Sequence, residues 1–228
     1  MNPPGRAIKG RPAPILIGAH YDAVAGSPGA DDNASALAVL LEVACELQRV
    51  PIARPVWLAA FCLEEQGLLG SQAFVSRLKK ANQQLTGAII LECVGFASHD
   101  EGSQRIPPGM PIAVPTVGNF LGIIGNEASQ SLVTAVEQSA RRSVPDLKTI
   151  GLAVPGQGKG LSDVRRSDHA VFWDEGYPAV MLTDTANFRN PHYHQPTDTI
   201  ETLNLPFLEE VIEAVVGSVK TLAAQEIG

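Results

Sequence analysis

Short apolar runs of strand length alternate along this chain with segments whose apolar residues recur at helical spacing. The strand-like runs cover residues 14–19, 56–63, 88–94, 120–124, 148–154 and 179–183. The helix-like segments cover residues 34–49, 70–80, 127–142, 168–174 and 206–224. This alternation is typical of an α/β fold with a largely parallel sheet covered by helices on both faces. The 228 residues are enough for one such domain and few for two, so we expect residues 1–228 to form a single domain.

Two further features of the pattern bear on where a site can lie. The run at residues 56–63 is almost continuously apolar, as strands in the middle of a parallel sheet are, and we expect it to be buried and central. Residues 95–119 and 155–167 are long segments rich in glycine and proline. Long loops in a compact domain are more often functional than idle, so we expect them to shape a binding site.

Charge and apolar patterning exclude several classes of partner. The formal net charge is −7, and the basic residues form only isolated pairs such as Arg141-Arg142 and Arg165-Arg166. We therefore expect no nucleic-acid partner and no anionic membrane surface. The longest apolar runs are strand-sized, too short to span a bilayer.

The cysteines and the N-terminal residues bear on the compartment. Cys45, Cys62 and Cys93 all lie inside apolar periodic segments, which favours buried free thiols over disulfides. Residues 1–5 show no apolar leader. We expect a cytoplasmic protein if this start is native, while a removed signal would leave the localisation open.

Acidic residues and histidines follow the predicted strands at the points where those strands end. They are His20 and Asp22, the Asp31-Asp32 pair, the Glu64-Glu65 pair, Glu92, and His192, Tyr193 and His194. The carboxyl ends of parallel strands meet at one edge of a sheet, and open α/β sheets carry their sites there. We therefore expect five separate segments to deliver carboxylates and imidazoles to one edge.

Most of these residues also have an ordinary explanation when taken singly. The Asp31-Asp32 pair makes a good helix N-cap, and the Glu64-Glu65 pair can be plain exposed charge. His99 reads as a loop residue and His169 as a capping or core residue. Glu92 is different, because it follows an apolar strand that should be buried, where an unpaired carboxylate needs a cation. Imidazoles and carboxylates together are the ligand set that zinc prefers.

The motifs resemble those of the co-catalytic zinc aminopeptidases, whose relatives include bacterial leucyl aminopeptidases, glutamate carboxypeptidases and glutaminyl cyclases. The matching stretches, in the family's order, are residues 18–24 (GAHYDAV), 28–35 (PGADDNAS), 63–71 (LEEQGLLGS), 167–169 (SDH) and 192–199 (HYHQPTDT). The resemblance implies an α/β/α sandwich of three layers around a mixed, mostly parallel sheet. It also implies a hydrolase that cuts the N-terminal residue from peptides with two zinc ions, or with cobalt or manganese in their place.

The resemblance also implies a role for each matched residue. His20 and Glu92 would bind one ion, Glu65 and His194 the other, and Asp31 would bridge both. Glu64 would be the general base, and Tyr193 would stabilise the oxyanion. Asp22, Asp32 and Asp168 would support the ligands from behind, Asp22 by orienting His20. A cis peptide bond would follow the bridging aspartate, at Asp31–Asp32.

Two departures from the family pattern and three alternatives stay open. Glu92 stands where the best-known members carry aspartate. Only about a dozen residues precede the first strand, so the sheet would be shortened at its N-terminal side, with an exposed edge or a partner covering it, a second copy included. A carboxypeptidase or dipeptidase would need a cation such as Arg165 or Arg166 for the substrate carboxylate. A glutaminyl cyclase would hold one working zinc, and an inactive binding domain would have no use for Glu64.

Overall fold

The computed structural model describes residues 12–110 and 112–224, and residues 1–5, on which the prediction about a leader rests, lie outside them. The strands of the described chain are β1 Ile15–His20, β2 Val56–Phe61, β3 Gly87–Glu92, β4 Phe120–Asn126, β5 Lys148–Val154 and β6 Ala179–Thr183. The α-helices there are α1 Ala36–Leu47, α2 Leu69–Lys80, α3 Gln130–Ser143, α4 His169–Asp174 and α5 Leu205–Ala224. Each predicted segment is therefore present, with ends shifted by a few residues at most.

The strands form one mixed sheet in the order β2-β1-β3-β6-β4-β5. β1 pairs in parallel with both β2 and β3, and β3 pairs in parallel with β6. β4 runs antiparallel to β6, and β5 follows β4 in parallel. The prediction of a mixed, mostly parallel sheet is confirmed. The reversal at β4 places the first residues of β4 beside the last residues of β6, as in the pairing of Gly122 with Thr183.

Helices cover the sheet on both faces and bury one apolar core on each side. α5 packs against α1 and α3 on one face, and α2 packs against α4 on the other. Successive strand residues alternate between the cores: Ile89 and Leu91 of β3 belong to the first, and Ala88 and Ile90 to the second. This alternation follows from the two-residue period of a strand, and it confirms the three-layer architecture.

β2 is an edge strand, and the prediction that it is central is wrong. Most of its residues are partly exposed, and the side chain of Leu58 is 41 % exposed. Among the described residues, no strand pairs with its outer side. An apolar run predicts that a strand has apolar neighbours above and below, but it carries no information about lateral neighbours. A partner on this edge, a second copy included, stays a prediction. Within the described chain, no helix has the length and apolar character needed to cross a membrane.

Candidate active site

The carboxyl ends of β1, β2, β3 and β6 carry the predicted site residues to one edge of the sheet. His20 is the last residue of β1 and Glu92 the last of β3. Glu64 and Glu65 follow β2 in a tight turn, which begins at Leu63 with φ of 58°. The remaining residues come from the loop before α1 and from the segment after β6. The sheet topology therefore brings together residues that lie up to about 170 positions apart in the sequence.

Asp32 lies between two histidines at the centre of this edge. Its Oδ1 is 3.2 Å from His20 Nε2, and its Oδ2 is 3.0 Å from His194 Nε2. Each histidine also faces a glutamate: His20 Nε2 is 3.4 Å from Glu92 Oε2, and His194 Nε2 is 3.3 Å from Glu65 Oε2. The result is two groups of metal-ligand type that share one carboxylate.

The structure corrects the bridging position by one residue. The cis peptide bond joins Asp32 to Asn33, and not Asp31 to Asp32. The carboxylate of Asp31 points away from the two histidines and accepts hydrogen bonds from the Gly95 N–H (2.8 Å) and the Asn190 side-chain amide (2.7 Å). Asp31 thus fills a supporting position, and Asp32 fills the shared position that the motif assigned to Asp31.

A further carboxylate, which the motif pattern left unassigned, fixes the loop that carries this pair. Asp198 accepts hydrogen bonds from the backbone N–H groups of Asp31 (2.9 Å) and Asp32 (3.2 Å) and is fully buried. Asn33 ties the same loop to the end of β3, because its side chain donates to the Leu91 carbonyl and accepts from the Cys93 N–H. Asp32 is therefore held in place from both sides.

Asp22 supports the site differently from the prediction. His20 Nδ1 lies 3.0 Å from the backbone carbonyl of Asp22, and 3.7 Å from its carboxylate. The carboxylate instead accepts the backbone N–H groups of Glu64 (3.1 Å) and Glu65 (3.2 Å). Asp22 therefore orients His20 through its main chain and the glutamate turn through its side chain.

Several buried polar atoms of the site have no hydrogen-bond partner among the described residues. They are His20 Nε2, Asp32 Oδ1, Glu65 Oε1 and His194 Nε2. All four belong to the two histidine–carboxylate groups and face the space between them. Unpaired buried polar atoms cost free energy, and a bound cation satisfies carboxylate oxygens and unprotonated imidazole nitrogens at once. The residues present therefore fit bound divalent metal.

The electrostatics of the cluster agree with that fit. Burial, and then the charge of Glu92, raises the pKa of Glu64 to about 9. Burial, followed by the charge of Asp32, raises the pKa of Glu65 to about 7. Burial lowers the pKa of His20, but the adjacent carboxylates of Asp32 and Glu92 outweigh it and raise the pKa to about 12. These shifts come from carboxylates crowded against one another and against His20 in a buried space, and such perturbed groups are typical of functional sites.

Asp168 is fully buried next to this cluster, but it does not support a ligand by a hydrogen bond. Neither of its oxygens has a partner of good hydrogen-bond geometry among the described residues, although Ser71 lies beside it. Burial raises the pKa of Asp168 to about 6. The support comes from the preceding residue, Ser167, whose hydroxyl donates a hydrogen bond of 2.6 Å to Glu92 Oε2.

Tyr193 stands over the site beside His194. The two rings are stacked, with centroids 3.8 Å apart. Arg166 donates from Nη2 to the Tyr193 hydroxyl oxygen at 3.1 Å and from Nη1 to the Asn187 side chain at 2.6 Å. Burial, and then the charge of Asp32, holds the pKa of Tyr193 well above its ordinary value, so the hydroxyl keeps its proton. The motif pattern gave no sign of the Arg166 contact, because the two residues are 27 positions apart.

The family model of peptidase family M28 matches residues 5–219. The chain belongs to peptidase family M28. This confirms the family that the motifs predicted.

The chain is also similar in sequence to individual proteins. The chain is 35 % identical over 213 residues to the uncharacterised protein YfbL of Escherichia coli, covering 89 % of this chain and 65 % of YfbL. It is 29 % identical over 236 residues to leucine aminopeptidase 1 of Arthroderma otae, covering 95 % of this chain and 56 % of the relative. The chain thus spans between about half and two-thirds of the length of these relatives.

The fold is that of solved aminopeptidases. The LapA aminopeptidase of Legionella pneumophila superposes with a TM-score of 0.74 at 21 % identity, over 95 % of this chain and 53 % of LapA. BSAP, a zinc aminopeptidase from Bacillus subtilis, superposes with a TM-score of 0.68 at 27 % identity, over 94 % of this chain and 47 % of BSAP.

An apolar pocket adjoins the metal-ligand cluster, because Glu92 and Tyr193 are among its lining residues. Residues of β4, β5 and β6 and of both long loops line it. The apolar lining includes Met110, Ile112, Val114, Phe120, Ile124, Ile150, Leu152 and Met181. The prediction that the segments at residues 95–119 and 155–167 shape a site agrees with this lining, to which they contribute Met110 and Val164.

Proposed function

We propose that this chain is a metal-dependent aminopeptidase that removes N-terminal residues from peptides. The observation that carries the proposal is the sharing of Asp32 between two histidine–glutamate groups, with Glu64 beside them and an apolar pocket adjoining. Membership of family M28 supports it, as do relatives named as aminopeptidases. Glu64, Tyr193 and the pocket each take one task in the reaction.

Two divalent ions, zinc by the nature of the ligand set, would be held by five side chains. His20 and Glu92 would bind one, Glu65 and His194 the other, and Asp32 would bind both; cobalt or manganese fits the same donors. When bound, such ions polarise the scissile carbonyl and make a water molecule more acidic. The remaining contributions come from the chain's own residues.

Glu64 is placed to act as the general base. It is 8 % exposed, and its backbone N–H is fixed by Asp22. Its pKa of about 9 reflects burial among carboxylates, and nearby divalent cations lower a carboxyl pKa. The ionised Glu64 takes a proton from the attacking water and passes it to the leaving amine.

Tyr193 is placed to stabilise the charge that develops on the substrate carbonyl oxygen. Its oxygen accepts a hydrogen bond from Arg166, which leaves its own O–H available to donate, and Asp32 and Glu92 lie near enough for their charges to raise its pKa. A donor fixed before the reaction is worth more than one that must reorient.

The charge and shape of the surroundings favour a free N-terminus over a free C-terminus. Arg165 is tied to Asp174 and Arg166 to Asn187 and Tyr193, so both arginines already have partners. The carboxylates of the metal-ligand cluster give this end of the site the negative charge that a protonated amine would need. The apolar pocket would then receive the side chain of the first residue.

The test is the release of amino acids from a mixed peptide pool by zinc-loaded protein, with a chelated control. We expect chelator-sensitive loss of single N-terminal residues and two zinc ions per chain by elemental analysis. Glu64→Gln should lower kcat by about 10²–10⁴-fold while both ions stay bound. Release of C-terminal residues would instead establish a carboxypeptidase, and pyroglutamyl products with one zinc a cyclase. Near-normal turnover by Glu64→Gln would refute the assigned base.

A further inference from the structure

A thiol lies inside the metal-ligand cluster. Cys93 directly follows Glu92 and is fully buried. Its backbone has φ of 47°, and its N–H is fixed by Asn33 at 3.0 Å. This turn at the end of β3 lets its thiol donate a hydrogen bond to Glu92 Oε1, with the sulfur 3.4 Å from that oxygen. A residue that simply continued the strand would direct its side chain to the opposite face from Glu92.

The thiol also lies close to the shared carboxylate. Cys93 Sγ, a carboxylate oxygen of Glu92 and one of Asp32 all lie within 4.8 Å of one another. Asp32 is 3 % exposed, and its Oδ1 has no hydrogen-bond partner in the described chain. Two donors on one tetrahedral zinc, at ~2.3 Å for sulfur and ~2.0 Å for oxygen, are about 3.5 Å apart. The distance from Cys93 Sγ to Glu92 Oε1 matches that value.

The two oxygens of Glu92 have different surroundings. Oε2 accepts the Ser167 hydroxyl and faces His20, whereas Oε1 faces the thiol. Glu92 can therefore present Oε1 to an ion on the side where the sulfur lies.

We propose that Cys93 is a thiolate ligand of a metal ion bound together by Asp32 and Glu92. The inference rests on the proposed function only in requiring a metal ion at this position. The thiol proton passes to solvent as the sulfur binds. A sulfur donor favours thiophilic ions such as zinc, cobalt and cadmium over manganese and magnesium, so this residue sets the metal preference of the site.

The test is optical spectroscopy of the cobalt(II)-loaded chain, with Cys93→Ser as the variant and Cys45→Ser as the matched control. Cys45 is exposed on α1, away from the site. We expect a thiolate-to-cobalt charge-transfer band in the near ultraviolet that persists in Cys45→Ser and is lost in Cys93→Ser. Competition between zinc and manganese should show a preference for zinc that falls about tenfold or more in Cys93→Ser.

Cobalt content, measured in parallel, separates the possible outcomes. Two cobalt ions per chain without the band in the unsubstituted protein would overturn the role of Cys93 and leave the proposed function intact. A band that survives in Cys93→Ser would likewise overturn it. A folded chain that binds no cobalt would refute both the inference and the proposed function.

Discussion

The guanidinium of Arg166 donates a hydrogen bond of 3.1 Å to the hydroxyl oxygen of Tyr193. Its Cζ also lies 5.6 Å from the centroid of the tyrosine ring. The contact occupies one lone pair of the hydroxyl and places a positive charge beside it, which partly offsets the rise in the pKa of Tyr193 that burial causes. A hydroxyl held in this way is a better donor to a developing negative charge than a free one.

Removing the Tyr193 hydroxyl should therefore act mainly on kcat. We expect Tyr193→Phe to lower kcat by about 10²–10³-fold with a small change in KM. Arg166→Ala should lower kcat less, by about tenfold, because the hydroxyl remains. In the double variant the effects should not add, since Arg166 works through Tyr193. Additive losses in steady-state kinetics would show that Arg166 acts independently.

Ser167→Ala should weaken one metal site and spare the other. The Ser167 hydroxyl donates to Glu92 Oε2 at 2.6 Å and touches neither Glu65 nor His194 through a hydrogen bond in the described structure. Loss of such an orienting contact typically lowers metal affinity about 10–100-fold.

Zinc titration with a competing chelator resolves the two binding steps of Ser167→Ala. Ser76→Ala, an exposed serine on α2, is the matched control and should bind as the unsubstituted chain does. An equal loss in both steps would mean that Ser167 supports the fold and not Glu92 in particular.

Acid should destabilise the fold through His169. Burial holds the pKa of this ring at about 4, below its ordinary 6.5, although its Nε2 meets the Val164 carbonyl at 2.8 Å. Between those two pH values the unfolded chain binds a proton that the folded chain does not. The free energy of unfolding therefore falls as pH drops from 6.5 towards 4, by up to about 1.4 kcal/mol per pH unit from this group.

The variant His169→Gln, which carries no titrating ring, should reduce that slope in denaturant unfolding measured across the same pH range. Identical slopes for His169→Gln and the unsubstituted chain would contradict the assignment.

The apolar pocket should set the preference for the first residue of the substrate. We expect leucyl, methionyl and phenylalanyl substrates to be favoured over aspartyl ones. Met110→Ala should lower kcat/KM for the large apolar residues by about tenfold, and for alanyl substrates less, because only the former reach the removed side chain. Leu41→Ala, on the exposed face of α1, is the control. An equal fall in kcat/KM for all substrates would show that Met110 does not select the first residue of the substrate.

The elements of the fold could be predicted because their apolar residues repeat with the periods of helices and strands. Val56–Phe61 shows the limit, since an apolar run indicates burial but not position in the sheet, and this strand lies at the edge. The sequence also could not predict that β4 runs antiparallel to β6, because strand direction depends on pairing between distant segments.

The site could be predicted as a group of residues but not in every detail. Asp31 and Asp32 are identical side chains in adjacent positions, and only the backbone geometry shows which one faces His20 and His194. Ser167 and Asp198 were missed for a similar reason: serine and aspartate are common in loops, and only their contacts distinguish them.

The reversal of β4 and β5 separates two tasks within one sheet. The candidate metal ligands come from the ends of β1, β2 and β3 and from loops, and neither β4 nor β5 supplies one. Those two strands line the pocket instead. Substitutions there can alter which peptides are accepted while the reacting groups stay untouched. Under the proposed function, substrate preference can therefore change during evolution while the metal-binding residues stay the same.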